Sequence, residues 1–352
     1  MIKLPYGIDL ETVPVLKALN KASRALAELK GEALTIPNEE ILINTLTLQE
    51  AKESSAIENI VTTQDDLYRS AVDENFENVA AKEVKSYAAA LRYGFSCVRD
   101  RGGLSLNMIK EIQKNMEPNK GGFRRVPGTS LKDNAGNIVY TPPQNGVEVD
   151  ELMANLEIYI NDDKLEDIDP LIKMALVHYQ FESIHPFYDG NGRTGRIINI
   201  LYLVLKGLID TPVLYLSRYI IDNKSDYYRL LQEVRDINGY EAWIVWMLKG
   251  VEETARTTIR MVKEIRELMD EYKRDIRKNT NIYSRELLET LFMHPYTKIS
   301  YLSSRMQVHR NTAASHLNTL ADAGLLIKLK SGRENYYVNS KLYAVFSHGA
   351  VS

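Results

Sequence analysis

The sequence predicts a mainly α-helical protein with one β-hairpin in its middle and a smaller unit of helices and a hairpin at its C-terminal end. Three observations carry this expectation. Apolar residues recur at helical spacing along most of the chain. Strand-prone residues bounded by turn formers are confined to two short stretches, 126–143 and 325–338. A chain of 352 residues, 44% hydrophobic and 26% charged, has room for two or three domains and a sizeable core.

The elements follow in order. Residues 1–100 form an N-terminal helical region, with helical repeats over Val13–Leu29, Glu40–Ile60 and Ala81–Val98 and a polar turn at Pro37-Asn38. Residues 101–250 form the core. A helix over Asn107–Met116 leads into Gly121-Gly122-Phe123-Arg124. Val126–Pro143 then reads as a hairpin turning at Asp133-Asn134-Ala135-Gly136, with Ile138, Val139 and Tyr140 as one strand and Pro142-Pro143 ending it. The helical repeat resumes over Val149–Ile160, Leu171–Phe181 and Ile197–Leu208. Pro212–Tyr219 reads as a loop and short helix, and Trp243 and Trp246 extend an apolar face into the core. Residues 251–282 hold a charged helix, apolar at Ile259, Val262, Ile265 and Leu268, that reads as a connector.

Residues 283–352 form the last unit: helices over Tyr283–Met293, Ile299–Met306 and Arg310–Ala323, the third ending at Gly324. Strand, turn and strand follow over Leu325–Lys330, Ser331–Asn335 and Tyr336–Val338. This order resembles a winged helix-turn-helix, whose third helix enters a DNA major groove. Lys298, Arg305, Arg310, Lys328, Lys330, Arg333 and Lys341 outnumber Asp322 and Glu334 between residues 296 and 341, which suits phosphate contact. Such units also bind proteins or pair with a second copy, so DNA, protein and a homo-oligomer stay open as partners.

Composition excludes several classes. With 44 Lys and Arg against 47 Asp and Glu, the net charge of −3 gives no global sign of a nucleic-acid binder. The single Cys97 excludes an internal disulfide framework and fits a reducing compartment. Met1–Leu10 lacks a basic region followed by an apolar run, and Ile197–Leu205 is too short to span a bilayer, so a cytoplasmic protein without membrane contact is expected.

Chemistry concentrates between the two core helices, in His185-Pro186-Phe187-Tyr188-Asp189-Gly190-Asn191-Gly192-Arg193-Thr194-Gly195-Arg196. Pro186 disfavours helical angles at His185 and ends the first helix there. The second begins near Gly192 or Arg193, where free N–H groups and the helix dipole favour an anion and small residues let the backbone come close. Arg193 and Arg196, three apart, can lean toward one phosphate chain. A base, an acid, a glycine turn and two guanidiniums in twelve residues make a phosphate site. A metal hydrolase is disfavoured, since there is no HExxH and His178 lies two turns before His185.

This stretch resembles the motif of the Fic family, His-Pro-Phe-x-Asp/Glu-Gly-Asn-Gly-Arg-x-x-Arg, with every fixed position filled. Gly121–Arg124 is similar to the family's Gly-x-Phe/Tyr-Arg element. The resemblance covers roughly residues 40–250 and implies a Fic-type helical core with a β-hairpin flap. It implies a protein adenylyltransferase, which moves AMP from ATP to a Tyr, Thr or Ser hydroxyl of a target protein and releases pyrophosphate. His185 then serves as the base. Asp189 is a hard ligand for Mg2+, Gly190, Asn191, Gly192, Arg193, Thr194 and Gly195 cradle the nucleotide, and Arg196 fixes its terminal phosphate. Tyr227 and Tyr228 resemble the family's adenine pocket. Ile138, Val139 and Tyr140 correspond to the flap strand along which a target segment lies, an ordinary surface hairpin being the plainer reading.

Upstream, Ser54-Ser55-Ala56-Ile57-Glu58-Asn59 resembles the family's inhibitory helix, Ser/Thr-x-x-x-Glu-Gly/Asn, placed here in a helix over about 44–60. Ser54 and Glu58 are one turn apart, and if that face meets the motif, Glu58 takes Arg196 from ATP. The alternative is a DNA-binding regulator whose Fic core only senses a nucleotide.

Overall fold

A computed structural model describes residues 2–73, 78–132, 135–331 and 334–348. Helix α1 (Val13–Ala33) buries Val15, Ala22, Ala25, Leu26 and Leu29, a single stripe of helical period. Helix α2 (Glu39–Ile57) starts where the Asn38 side chain accepts the Glu40 N–H. It buries nearly all of residues 41–57, so it runs through the molecule. Two of its buried polar groups are paired across the core: Gln49 donates to the Tyr68 hydroxyl at 2.5 Å, while Glu50 accepts from the Tyr87 hydroxyl at 2.9 Å and the Ser217 N–H at 3.1 Å.

The sequence pattern ran α2 on to Ile60, but the helix stops at Ile57. Asn59 turns left-handed at φ 64°, and the Ile60 N–H closes back on Ser55 O at 3.0 Å. A helix absent from the sequence reading follows, α3 (Gln64–Val72), capped by Thr63. Its nine residues are too few and too polar for a periodic signal.

Helices α4 (Val79–Arg101) and α5 (Leu106–Met116) precede the expected hairpin, in which strands β1 (Leu131–Lys132) and β2 (Ile138–Tyr140) pair antiparallel. Asp133 and Asn134 of its anticipated turn lie outside the described residues. After α6 (Gly146–Asn161), helices α7 (Pro170–Ile184) and α8 (Asn191–Leu205) form the centre, and α7 is buried from Leu171 to Ile184. Its polar side chains Lys173, His178, Gln180 and Glu182 are buried with its apolar ones, so α7 presents no solvent face.

Helices α9 (Ser217–Asp222) and α10 (Lys224–Ile237) lead into α11 (Tyr240–Asn279), one helix of 40 residues. The stretch read as a connector from residue 251 is therefore continuous with the core turns holding Trp243 and Trp246. Its apolar stripe, Ile259, Val262, Ile265 and Leu268, is buried, and α11 lies along α1.

The last unit runs α12 (Arg285–Met293), β3 (Tyr296–Lys298), α13 (Ile299–Met306), α14 (Arg310–Asp322), β4 (Ile327–Ser331), β5 (Glu334–Val338) and α15 (Ser340–His348). The sequence reading lacked β3 and α15; the sheet is three-stranded and antiparallel, in the order β3-β5-β4. Several cations assigned to phosphate contact are held within the chain. Lys298 pairs with Asp73 at 3.0 Å and Glu334 at 3.2 Å, Arg305 with Glu40, and Lys341 with Glu271. Arg310, Lys328 and Lys330 stay exposed, and Arg333 lies outside the described residues. Among the described residues no helix is long and apolar enough to cross a membrane.

Burial pushes two histidines, His178 and His294, down to about 3. An unfolded histidine takes its proton near pH 6.5, so below that pH the unfolded state binds more protons and stability falls. Denaturation midpoints are expected to drop between pH 7 and pH 5, with each histidine adding up to about 1.4 kcal/mol per pH unit. His294→Gln should flatten that slope.

Candidate active site

The loop between α7 and α8 is held by its own backbone and by several side chains, Arg124 and Asn191 foremost. His185 caps α7 in the left-handed region at φ 51°, and its N–H reaches Phe181 O at 2.9 Å. Such a conformation is uncommon outside glycine and needs surroundings that hold it. Arg124 supplies them. Its Nε donates to His185 O at 2.7 Å, its Nη2 to Ile184 O at 3.0 Å and its backbone N–H to Pro186 O at 2.8 Å. Asn191 braces the other side, accepting the Phe187 N–H at 2.8 Å and donating to Phe187 O at 2.9 Å. The Phe187 ring sits between Phe123 and Phe181, at centroid distances of 5.2 and 6.3 Å.

Helix α8 opens from Gly190, which needs its positive φ of 76° to turn the chain. The first N–H groups of a helix lack intrahelical partners, so those following Gly190 are candidate donors to an anion. A Cβ at Gly192 would collide with Glu58 Oε1 and lie 3.0 Å from Arg196 Nη1, so glycine there admits the Glu58 carboxylate. Thr194 and Gly195 face inward, Gly195 against Glu182 and Phe181.

The two guanidiniums that spacing aimed at one phosphate chain diverge. Arg196, 2% exposed, donates from Nε to Ser54 Oγ at 2.8 Å and from Nη2 to Ser54 O at 3.0 Å and Glu58 Oε1 at 2.8 Å. Arg193 turns to Glu117 at 2.7 Å and Glu83 at 3.8 Å. Burial opposes the Glu58 charge, yet the Arg196 guanidinium holds that carboxyl below its ordinary value. Asp189 behaves alike at the rim: burial works against its charge, but Lys120 at 2.6 Å and the Gly190 N–H at 2.8 Å keep it ionised.

Burial, with the Arg124 charge second, lowers His185 to about 4. The imidazole is therefore neutral at physiological pH and can accept a proton. Its Nδ1 makes no formed hydrogen bond, and the Glu182 carbonyl is the backbone group that draws a proton to the ring. The buried Glu182 side chain is raised to about 7 by desolvation, with Glu58 pushing the same way against Arg196.

The paired tyrosines separate. Tyr227 is 2% exposed, its hydroxyl lies 2.9 Å from His178 Nε2, and its ring packs on Trp243 and Trp246. It forms a wall of the core, and like its neighbour it feels the charges of Glu182, Arg196 and Glu58. Tyr228 is half exposed and feels the charges of Glu58 and Arg196, so it lies near that ion pair. In the hairpin, Ile138 and Val139 are exposed whereas the Tyr140 side chain is an anchor. Its hydroxyl donates to Ser183 O at 3.0 Å, and Arg235 lies 3.8 Å over its ring.

Sequence reasoning gave no role to Arg124, Glu117, Lys120 or Glu182, since each acts through a partner far along the chain. Arg124→Leu would leave two buried carbonyls without a donor, and unfolding measurements should show a loss of about 1–3 kcal/mol for each.

Three family models match in succession: Fic/DOC family N-terminal over residues 16–96, Fic/DOC family over 103–203, and Protein adenylyltransferase SoFic-like, C-terminal domain, over 268–342. Among curated proteins, Protein adenylyltransferase fic-1 of Caenorhabditis elegans is 28% identical over 191 residues, 51% of this chain and 34% of its own length. Protein adenylyltransferase Fic of Drosophila mojavensis is 27% identical over 229 residues, 62% of this chain and 40% of its own. The chain thus spans well under half of these relatives. Two solved structures share the fold. A Fic family protein from Desulfovibrio desulfuricans has a TM-score of 0.58 at 20% identity, covering 95% of this chain and 97% of that one. Fic-1 of Caenorhabditis elegans has a TM-score of 0.54 at 22% identity, covering 71% and 74%. With its motif loop built between α7 and α8 and three successive family matches from residue 16 to residue 342, the chain belongs to the Fic/DOC family.

Proposed function

We propose that this chain transfers AMP from ATP to a hydroxyl side chain of a target protein, and that Glu58 restrains the transfer by holding Arg196. The observation that carries the reading is a neutral imidazole beside the open N-terminus of α8, with a buried arginine one turn into that helix. The His185 imidazole takes the proton of the target hydroxyl as its oxygen bonds to the α-phosphorus. The bond from that phosphorus to the bridging oxygen breaks, and pyrophosphate leaves with the electron pair. The α8 amides stabilise the charge developing on phosphate oxygens. Arg196, once free, holds the terminal phosphate and aligns the α-phosphate for attack.

Asp189 suits the cation that ATP brings. Mg2+ is usually held by one or two carboxylates plus substrate phosphates, and Asp189 offers one such carboxylate at the rim, with Lys120 as a counter-charge to displace. Bound there, Mg2+ would neutralise phosphate charge. The exposed Ile138 and Val139 suit an extended target segment laid against β2. The curated relatives are named protein adenylyltransferases, which favours AMP over UMP or phosphate as the group moved.

Peptide mass spectrometry of Glu58→Gly incubated with Mg2+ and ATP tests this. AMP on a Tyr, Thr or Ser side chain supports it; a bare phosphate, or no adduct, overturns it. In the last unit, the winged-helix reading draws on the polar α14 face and the β4–β5 hairpin. For DNA it now rests on Arg310, Lys328 and Lys330, a small phosphate footprint.

A further inference from the structure

The C-terminal unit grips the chain on both sides of Glu58. At the start of α2, Asn38 donates to Glu289 Oε2 of α12 at 2.8 Å, and Glu40 pairs with Arg305 of α13. Asn44, further along α2, reaches Met293 at 3.5 Å. Past the end of α2, residues 58–63 lead straight into α3, and α3 is fixed to the C-terminal sheet. Asp73 accepts from the Tyr336 hydroxyl at 2.7 Å and pairs with Lys298 at 3.0 Å, all three residues being buried. Asp65 accepts from the Tyr296 hydroxyl, and the Tyr68 ring lies 5.9–6.3 Å from Tyr296, Tyr343 and Phe346.

Glu58 sits in the short turn between these two held elements. It lies beyond the last helical residue of α2, and its side chain is 37% exposed where Arg196 is 2%. Within the core, Lys224 also holds this end, donating to Ile57 O at 2.6 Å. Where a turn joins two anchored helices, its conformation follows the anchors, and loosening one frees the turn before either helix unfolds. Two of the cations that make the C-terminal unit basic, Lys298 and Arg305, are committed to this grip.

We propose that the C-terminal unit seats the brake: its hold on α2 and α3 fixes the 58–63 turn and keeps Glu58 on Arg196. Loosening that hold frees Glu58 and raises AMP transfer. This rests on Glu58 acting as a brake, so the test reads the turn and the activity separately.

The full-length chain carries Lys298→Met or Arg305→Glu, the latter an exposed charge reversal that keeps the test open if the former fails to fold. Amide hydrogen exchange is followed at Glu58, Asn59 and Ile60, whose N–H groups bond Ser55 and Ala56 carbonyls. Exchange there should quicken about tenfold or more, with α7 and α8 unchanged. AMP incorporation should rise in both variants but gain nothing further when combined with Glu58→Gly. Unchanged exchange at residues 58–60 in both folded variants overturns the proposal, as does faster exchange without a rise in incorporation while Glu58→Gly is active. If Glu58→Gly is itself no more active than the parent, the brake reading fails, and exchange alone still decides whether the C-terminal unit fixes the turn.

Discussion

Glu58→Gly is expected to raise the initial rate of AMP incorporation about ten- to a hundredfold, the range given by losing one charge-assisted hydrogen bond that competes with the nucleotide. Arg196 is already desolvated, and two of its hydrogen bonds, to Ser54 Oγ and Ser54 O, survive the change. What is lost is the carboxylate on Nη2, the group that a terminal phosphate would replace. The exposure of Glu58 puts the effect toward the lower part of the range, because solvent already screens one side of the pair. Glu58→Gln keeps the shape and drops the charge, so it should fall between parent and glycine variant. Because Arg196 holds the Glu58 carboxyl below its ordinary value, the brake keeps its charge at neutral pH. Equal rates for parent and Glu58→Gly across a range of ATP concentrations would sink the idea.

How far the sequence reached depended on where each constraint lies. The α7–loop–α8 unit was legible because Pro186, the glycines and two apolar repeats all act locally. The meeting of Ser54, Glu58 and Arg196 was legible only through the resemblance, since it joins residues 138 or more positions apart. Spacing placed Arg193 and Arg196 on one phosphate; carboxylates just past the ends of α5 and α2, Glu117 and Glu58, draw them apart. Tyr227 and Tyr228 look alike in sequence. Only His178 and the two tryptophans of α11 decide that the first is buried against the core while the second stays half exposed. Lys298, Arg305 and Lys341 looked like a phosphate surface because their partners, Asp73, Glu40 and Glu271, are remote in the chain.

His185→Ala, placed on the Glu58→Gly background, should lower AMP incorporation by about a hundred- to ten-thousandfold, the usual contribution of a positioned general base. ATP affinity should change little, because the phosphates would be held by the α8 amides, Asp189 and the arginines rather than by the imidazole. The pH profile provides the sharper test. A base lowered to about 4 is unprotonated at every higher pH, so the rate should be flat from about pH 5 to 8 and fall only as pH drops through 4. Burial is the main cause of that depression and the Arg124 cation the next. Arg124→Gln should therefore move the acid limb upward, toward the ordinary histidine value, while leaving a base in place. A limb near pH 7 would point instead to Glu182, which titrates there; Glu182→Gln would remove such a limb and leave one belonging to His185 intact. A rate that survives His185→Ala with its pH profile unaltered would take the imidazole out of the reaction altogether.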